Sequence, residues 1–495
     1  MSELPTSPVA GQNLWRRLLV TQFAVFAAVC LYGVWTQRYL YGDGCNFLVM
    51  LMQRQSPTDY FPGRHFAHLA TQMPMVALIK YFGCRSAWVA GSVYGATLYL
   101  APLCCLLLTM WAANRAPGQV LAYPIIAFSI LFLDNYGFII SEINLATALF
   151  WPMLYILLFS ERLTVVRSLV LIALATVSTR CYEIYLFLAW PLAVAALYRL
   201  WLATQAKNRA EGWVSIVSLC LFLKGFWNAA RSIWDPDIPA SVDGFFDHVS
   251  VHLYYPPVWF TLAYLLVAAW ILTLPELRRG RWIIHGFVIG FAIFALLLNC
   301  IGFVGPWFQY SSRVQALYVP LLLGTIVILK TMIPRLRLTA STKTQMELWR
   351  LTAGACCVAA AFQIGSTVAW ERYRASVLAV LAKNQGIVGF EAATGTDRKE
   401  EESSRLPVGL TNAKVGQFYW NWTMPSLSVA LSAMNFGSIT TIICAPEMTE
   451  WQPFDPQNPA EIPDLSIYGV KNHLPPKVTI PANVIVGGGT IQRQQ

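Results

Sequence analysis

Two carboxylates stand where apolar sequence gives way to polar. Asp43 follows the apolar run 18–36 in a short polar loop, QRYLYGDGCNF, between Gly42 and Gly44. Glu142 closes the connection DNYGFIISEIN, just before another apolar run at 144–160. A carboxylate so placed can take a proton from an attacking hydroxyl, or help hold a divalent cation through oxygen ligands. The flanking glycines let the backbone turn sharply around Asp43. Basic residues accompany the acids: Arg54, Arg64, Lys80, Arg180 and Arg313. A guanidinium matches phosphate oxygens because its donors form a planar fork. Tyr41, Trp307 and Tyr310, with Tyr60, Trp420 and Trp422, offer rings on which a sugar can stack. Acid plus arginine at a lipid boundary fits a substrate that joins a lipid phosphate to a polar headgroup.

These residues need elements that hold them at such a boundary, and the composition supplies them. Of the 495 residues 56% are hydrophobic and only 12% charged, about half the charged share of a soluble domain. Eleven apolar runs fit helices that cross a bilayer: 18–36, 87–112, 119–134, 144–160, 167–179, 184–203, 213–229, 257–274, 282–303, 315–333 and 350–370. With the N-terminus inside, the inner segments carry fifteen Lys and Arg against five acids, while the outer loops are nearly balanced. That bias sets the orientation. It puts Asp43, Glu142 and everything after Trp370 on the outer face. The expected location is an integral, multi-pass membrane protein of a bacterial inner membrane, with a cytoplasmic N-terminus and a periplasmic C-terminal part. The net charge of +10 is mostly inner-loop charge attracted by anionic headgroups, and implies no nucleic-acid partner.

The outer face is elaborate. Its first loop, 37–86, is long for a connector. Within it HLATQMPMVALIKYFG (68–83) repeats apolar residues at helical spacing, which predicts a helix along the membrane surface. His65 and His68, near Asp59, have a spacing compatible with metal ligation, although loop histidines are common. Residues 371–495 change character. A charged stretch at 396–405 precedes helical and β-like pieces such as SITTIICAP. This predicts a small mixed α/β domain. Eleven cysteines contain no CxxC pair, and a disulfide among Cys45, Cys84, Cys181 and Cys444 is an open option. No phosphate loop, dinucleotide fingerprint, HExxH or G-x-S-x-G is present.

The acid just beyond the first span in YGDG, a second acid in IISEIN, and a helix in a long first outer loop together resemble the GT-C superfamily of polytopic membrane glycosyltransferases. The resemblance implies an all-α polytopic fold of about eleven transmembrane helices over residues 1–370, with a small extracytoplasmic α/β domain at 371–495. It implies a glycosyltransferase that moves a sugar from a polyprenyl-phosphate donor to a glycan, lipid or protein acceptor on the outer face. Asp43 and Glu142 would be catalytic. Arg313, Arg180 and Arg64 would bind donor phosphate, and Tyr41, Tyr310 and Trp307 would contact sugar or acceptor. Many members have two neighbouring acids where this chain has one, which leaves use of a divalent cation such as Mg or Mn open. Alternatives are an O-antigen polymerase or ligase, a phosphoryl-transfer enzyme, or a transporter or scaffold of a polysaccharide assembly system.

Overall fold

The computed structural model describes residues 8–58, 62–114, 116, 118–134, 142–233, 306–333, 342–389, 423–444, 454 and 461–474. The described chain is mostly helical, and six helices are long and apolar enough to cross a membrane. These are Asn13–Trp35, Ala87–Ala112, Glu142–Phe159, Tyr185–Gln205, Arg209–Ile233 and Trp349–Lys383. Shorter apolar helices, Gly118–Phe132, Val165–Ser178 and Val319–Met332, occupy three further expected runs. The expected spans at 257–274 and 282–303 lie outside the described residues. This is the make-up of a multi-pass membrane protein.

The helices are α1 (Pro8–Trp35), α2 (Asp43–Arg54), α3 (His65–Lys80), α4 (Ala87–Ala112), α5 (Ala122–Asp134), α6 (Glu142–Phe159), α7 (Val165–Ser178), α8 (Tyr185–Gln205), α9 (Arg209–Ile233), α10 (Pro306–Met332), α11 (Thr342–Lys383) and α12 (Met424–Asn435). Pro102, Pro152, Pro191 and Pro320 sit inside α4, α6, α8 and α10, a tolerance typical of spans. Of the six long spans α6 is the most enclosed, with 89% of its residues buried, so Glu142 heads a central helix of the bundle. At 42 residues α11 is about 63 Å long, roughly twice a bilayer's hydrocarbon thickness. The composition change at Trp370 therefore falls inside one continuous helix and marks no element boundary.

Contacts sort the helix termini into two ends. At one end Arg16 donates to the Asn114 carbonyl, and Arg167 to Asn114 Oδ1 at 3.0 Å. There Arg199 pairs with Glu211 at 2.8 Å, while Glu211 accepts from the Leu163 amide at 2.9 Å. At the other end Trp370 donates to the Thr36 carbonyl at 3.0 Å, and Asn228 to the Thr179 carbonyl at 2.9 Å. Phe66 there donates to the Arg180 carbonyl at 3.0 Å. Successive long helices thus run between these ends, and the second end carries the acids.

The segment between α1 and α4 is more structured than its sequence suggested. It holds a 3-10 turn at Arg38–Leu40, then α2, a second 3-10 turn at Pro62–Arg64, and α3. The helix expected at 68–83 starts three residues earlier and stops at Lys80. Its Ala67, His68, Thr71, Gln72, Met75, Val76 and Ile79 are buried, because small and polar residues on that face allow close packing on α4 and α6. The helix at the run 315–333 begins earlier, at Pro306, which places Trp307, Tyr310 and Arg313 in the first turns of α10.

The described residues of the C-terminal part combine helix with short strands. Strand β1 (Gly386–Gly389) pairs in parallel with β3 (Thr441–Cys444), and β2 (Ser438–Ile439) with β4 (Lys471–Asn472). The C-terminal part rests on the segment between α1 and α4. Tyr468 donates to the Met52 carbonyl at 3.2 Å, and Asn435 to Gln37 Oε1 at 3.2 Å. The described cysteines are free thiols, Cys45, Cys84, Cys181 and Cys444 among them.

Candidate functional site

Asp43 is positioned by the five residues that leave α1. Gln37 takes a left-handed backbone with φ of 59° and accepts from Arg374 at 2.9 Å. The Arg38 side chain is buried and points into α11, donating to the Gln363 carbonyl at 3.1 Å and to Thr367. Burial lowers its pKa, and neutral acceptors stand in for water. Tyr39 lies flat on α4, because Gly91 and Gly95 present no side chain. A Cβ at Gly95 would come within 2.2 Å of the Tyr39 ring. Tyr41 is buried and meets Trp370 edge-on at 5.8 Å. The chain then turns at Gly42, with φ of 59°, and Asp43 opens α2. A carboxylate suits the positive end of the helix dipole there. Asp43 is partly exposed. Two residues on, burial first and the Asp43 charge second push the Cys45 thiol up.

Glu142 opens α6 in a polar cluster built by three separate stretches of chain. His68 Nε2 lies 3.0 Å from Glu142 Oε1, and a guanidinium nitrogen of Arg64 lies 3.7 Å from Oε2. The His68 contact is a close approach without hydrogen-bond alignment. Arg64 Nε donates to both oxygens of Glu183, at 3.0 and 3.2 Å. The same guanidinium sits 4.5 Å over the Tyr182 ring. Burial opposes the Arg64 charge, but Glu183, Tyr182 and Glu142 outweigh it and push its pKa up. Arg64 thus stays cationic between two carboxylates.

Hydrogen bonding fixes the His68 tautomer. The Thr58 amide can only donate, so Gln72 turns Oε1 toward it at 2.7 Å. That leaves Gln72 Nε2 facing Thr58 Oγ1 and His68 Nδ1, each at 2.8 Å. Nδ1 therefore accepts, and the ring proton sits on Nε2, toward Glu142.

Tyr94 of α4 is fully buried. Its hydroxyl has no hydrogen-bond partner among the described residues. It borders a pocket whose polar wall is Tyr94, Thr71, Gln72 and Glu142 and whose apolar wall is Phe47, Leu98, Pro102 and Leu145. Phe47 comes from α2, one turn after Asp43, and meets the His68 ring edge-on at 5.1 Å. The pocket thus lies between the helix that Asp43 starts and the helix that Glu142 starts.

The expected site residues separate into groups. Glu142 and Arg64 are paired, and Asp43 opens α2, whose Phe47 lines the pocket beside Glu142. Arg180 is at the same end, exposed, in the turn before Glu183. Tyr41 is buried, and Arg313, Tyr310 and Trp307 are helical with side chains outside the described residues. Asp59, the suggested companion of His65 and His68, also lies outside them. Among the described residues no group of three His, Cys, Asp or Glu is placed to hold a metal ion. Sequence reasoning passed over Tyr94, Gln72 and the role of Glu183. Gln72 and His68 did carry a signal: i and i+4 on one helix face. Tyr94 in an apolar run carried none.

Comparisons with protein-family models, with characterised proteins and with solved structures found no match for this chain.

Proposed function

We propose that this chain is a membrane glycosyltransferase that moves a sugar from a polyprenyl-phosphate donor to an acceptor hydroxyl at the outer membrane face. The observation that carries the reading is that Asp43 opens α2 and Glu142 opens α6, two helices that wall one pocket at one end of an apolar helical bundle. Two carboxylates at that depth are costly unless they act on something. The inner-loop charge excess makes their end the outer one.

In this reading Asp43, partly exposed at the mouth, takes the proton of the acceptor hydroxyl as its oxygen attacks the anomeric carbon. The new carbon–oxygen bond forms as the bond to the phosphate oxygen breaks. The lipid phosphate departs as an anion and needs charge stabilisation rather than a proton. Displacement in one step inverts the anomeric centre. Glu142, held by Arg64 and the His68 Nε2–H, stays in place and orients. We assign the departing phosphate to Arg180, exposed at this end, and to Arg313, in the first turns of α10. Arg64 is occupied by Glu183 and Glu142, so its part is to fix the second acid.

Purified protein in proteoliposomes, offered radiolabelled polyprenyl-phosphate hexoses and a membrane extract as acceptor source, tests this. Transfer of label out of at least one donor is expected. Intact donors throughout, with protein shown to be folded, would count against it.

A further inference from the structure

The pocket between α2, α3, α4 and α6 is organised as if for a guest. Tyr94 is fully buried, its hydroxyl lacks a partner among the described residues, and it borders the pocket. A phenol there needs an acceptor for its proton. Across the same pocket Glu142 presents a carboxylate with several lone-pair directions. His68 and Arg64 hold it from another side, at 3.0 and 3.7 Å. Gln72 is committed to Thr58 and His68 and so serves as a rigid wall. Phe47, Leu98 and Leu145 complete an apolar rim.

A neutral hydroxyl, of water or of an alcohol, satisfies both open positions. It accepts a hydrogen bond from the Tyr94 O–H and donates one to the Glu142 carboxylate. An ether oxygen can accept but cannot donate. A phosphate is repelled by Glu142, which lines the pocket, in surroundings of low dielectric. The geometry points to a subsite for one neutral hydroxyl of the substrate, with Tyr94 as donor and Glu142 as acceptor. It rests on the transferase reading only in making that hydroxyl part of the sugar or of its acceptor. Phosphate then binds outside this pocket, on the exposed arginine side.

The test replaces Tyr94 by 3-fluorotyrosine in the full chain in nanodiscs and follows its ¹⁹F resonance. Ethylene glycol, glycerol and methyl β-glucopyranoside are the hydroxyl probes. Inorganic phosphate and 1,2-dimethoxyethane are the controls, and 3-fluorotyrosine at Tyr81, which is 78% exposed, reports bulk solvent effects. A saturable shift at Tyr94 is expected with at least one hydroxyl probe and with neither control, against linear drift at Tyr81. No saturable shift with any hydroxyl probe, or an equal one with phosphate or dimethoxyethane, would overturn the subsite. Glu142→Gln in the labelled protein should raise the half-saturating concentration about tenfold or more, as expected for a charged acceptor. An unchanged value would remove Glu142 from the subsite. Because this titration reads the pocket directly, it decides the question even if no donor is ever turned over. If one is, Tyr94→Phe should raise KM for the donor or for the acceptor, and the one affected names the source of the hydroxyl.

Discussion

His68 Nε2 stands 3.0 Å from Glu142 Oε1, and this approach joins the long segment between α1 and α4 to the head of α6. Its direction is set from behind. Thr58 orients Gln72, Gln72 fixes the His68 tautomer, and the remaining ring proton faces the acid. A buried carboxylate is tolerated when charges and dipoles around it are arranged in advance.

That chain of orientation can be read spectroscopically. In protein labelled with ¹⁵N-histidine, His68 should show a protonated Nε2 and an unprotonated Nδ1. Gln72→Leu removes the donor to Nδ1 and should abolish the preference. A wild-type spectrum with the proton on Nδ1 would contradict the orientation of Gln72.

Arg64 should behave as a structural cation. Arg64→Ala strips Glu142 and Glu183 of a shared partner and removes a ring contact with Tyr182. Breaking so enclosed a pair should cost about 3 kcal/mol. Arg64→Lys keeps the charge but cannot reproduce the guanidinium fork, so it should recover only part of the loss. Chemical denaturation in micelles measures both. Equal stability of wild type and Arg64→Ala would show that the pair contributes nothing.

Gly95 should be intolerant of even one methyl group. Its Cβ would lie 2.2 Å from the Tyr39 ring, whereas a Cβ at Gly212 meets Leu200 at an ordinary 3.7 Å. Gly95→Ala should therefore destabilise by about 1–3 kcal/mol through overpacking. Gly212→Ala, inside α9, should be neutral or gain up to about 1 kcal/mol. Equal effects of the two on thermal unfolding would argue against the close seating of Tyr39 on α4.

What the sequence disclosed follows from the range of each signal. Spans are local: some twenty apolar residues identify α4 or α8 unaided. Asp43 and Glu142 were visible because each is an acid at the edge of such a run. Their partners were not visible. Arg64 and Glu183 are 119 positions apart, and no local pattern ties them. Arg64 looked like a phosphate ligand because a free guanidinium suits phosphate, and only the fold supplies its two carboxylates. Tyr94 looked like filler in α4, since an apolar run does not reveal which hydroxyl lacks a partner. The helices of the first loop were partly hidden because Gly42 and Gly44 around Asp43 read as a turn, while one of them caps α2.

The C-terminal part and the first loop should be labelled from one side of the membrane. Tyr468 bonds to the Met52 carbonyl, so the two share an end. In a background with all eleven cysteines replaced, a cysteine at Arg54 or at Ser466 should react with an impermeant maleimide from outside. One at Lys207, at the opposite end, should react only after permeabilisation. Outside labelling at Lys207 would reverse the orientation.

The measurement closest to the central claim is sugar transfer by Asp43→Asn beside wild type, in proteoliposomes, at matched amounts of folded protein. Asn is nearly isosteric with Asp and cannot act as a base. Asp43 is partly exposed at a helix start, so the thermal midpoint should hold. Transfer should fall by roughly 10²–10⁴-fold, the usual worth of a general base. Transfer within about twofold of wild type, far short of that loss, would contradict the assignment of Asp43 and the site built around it.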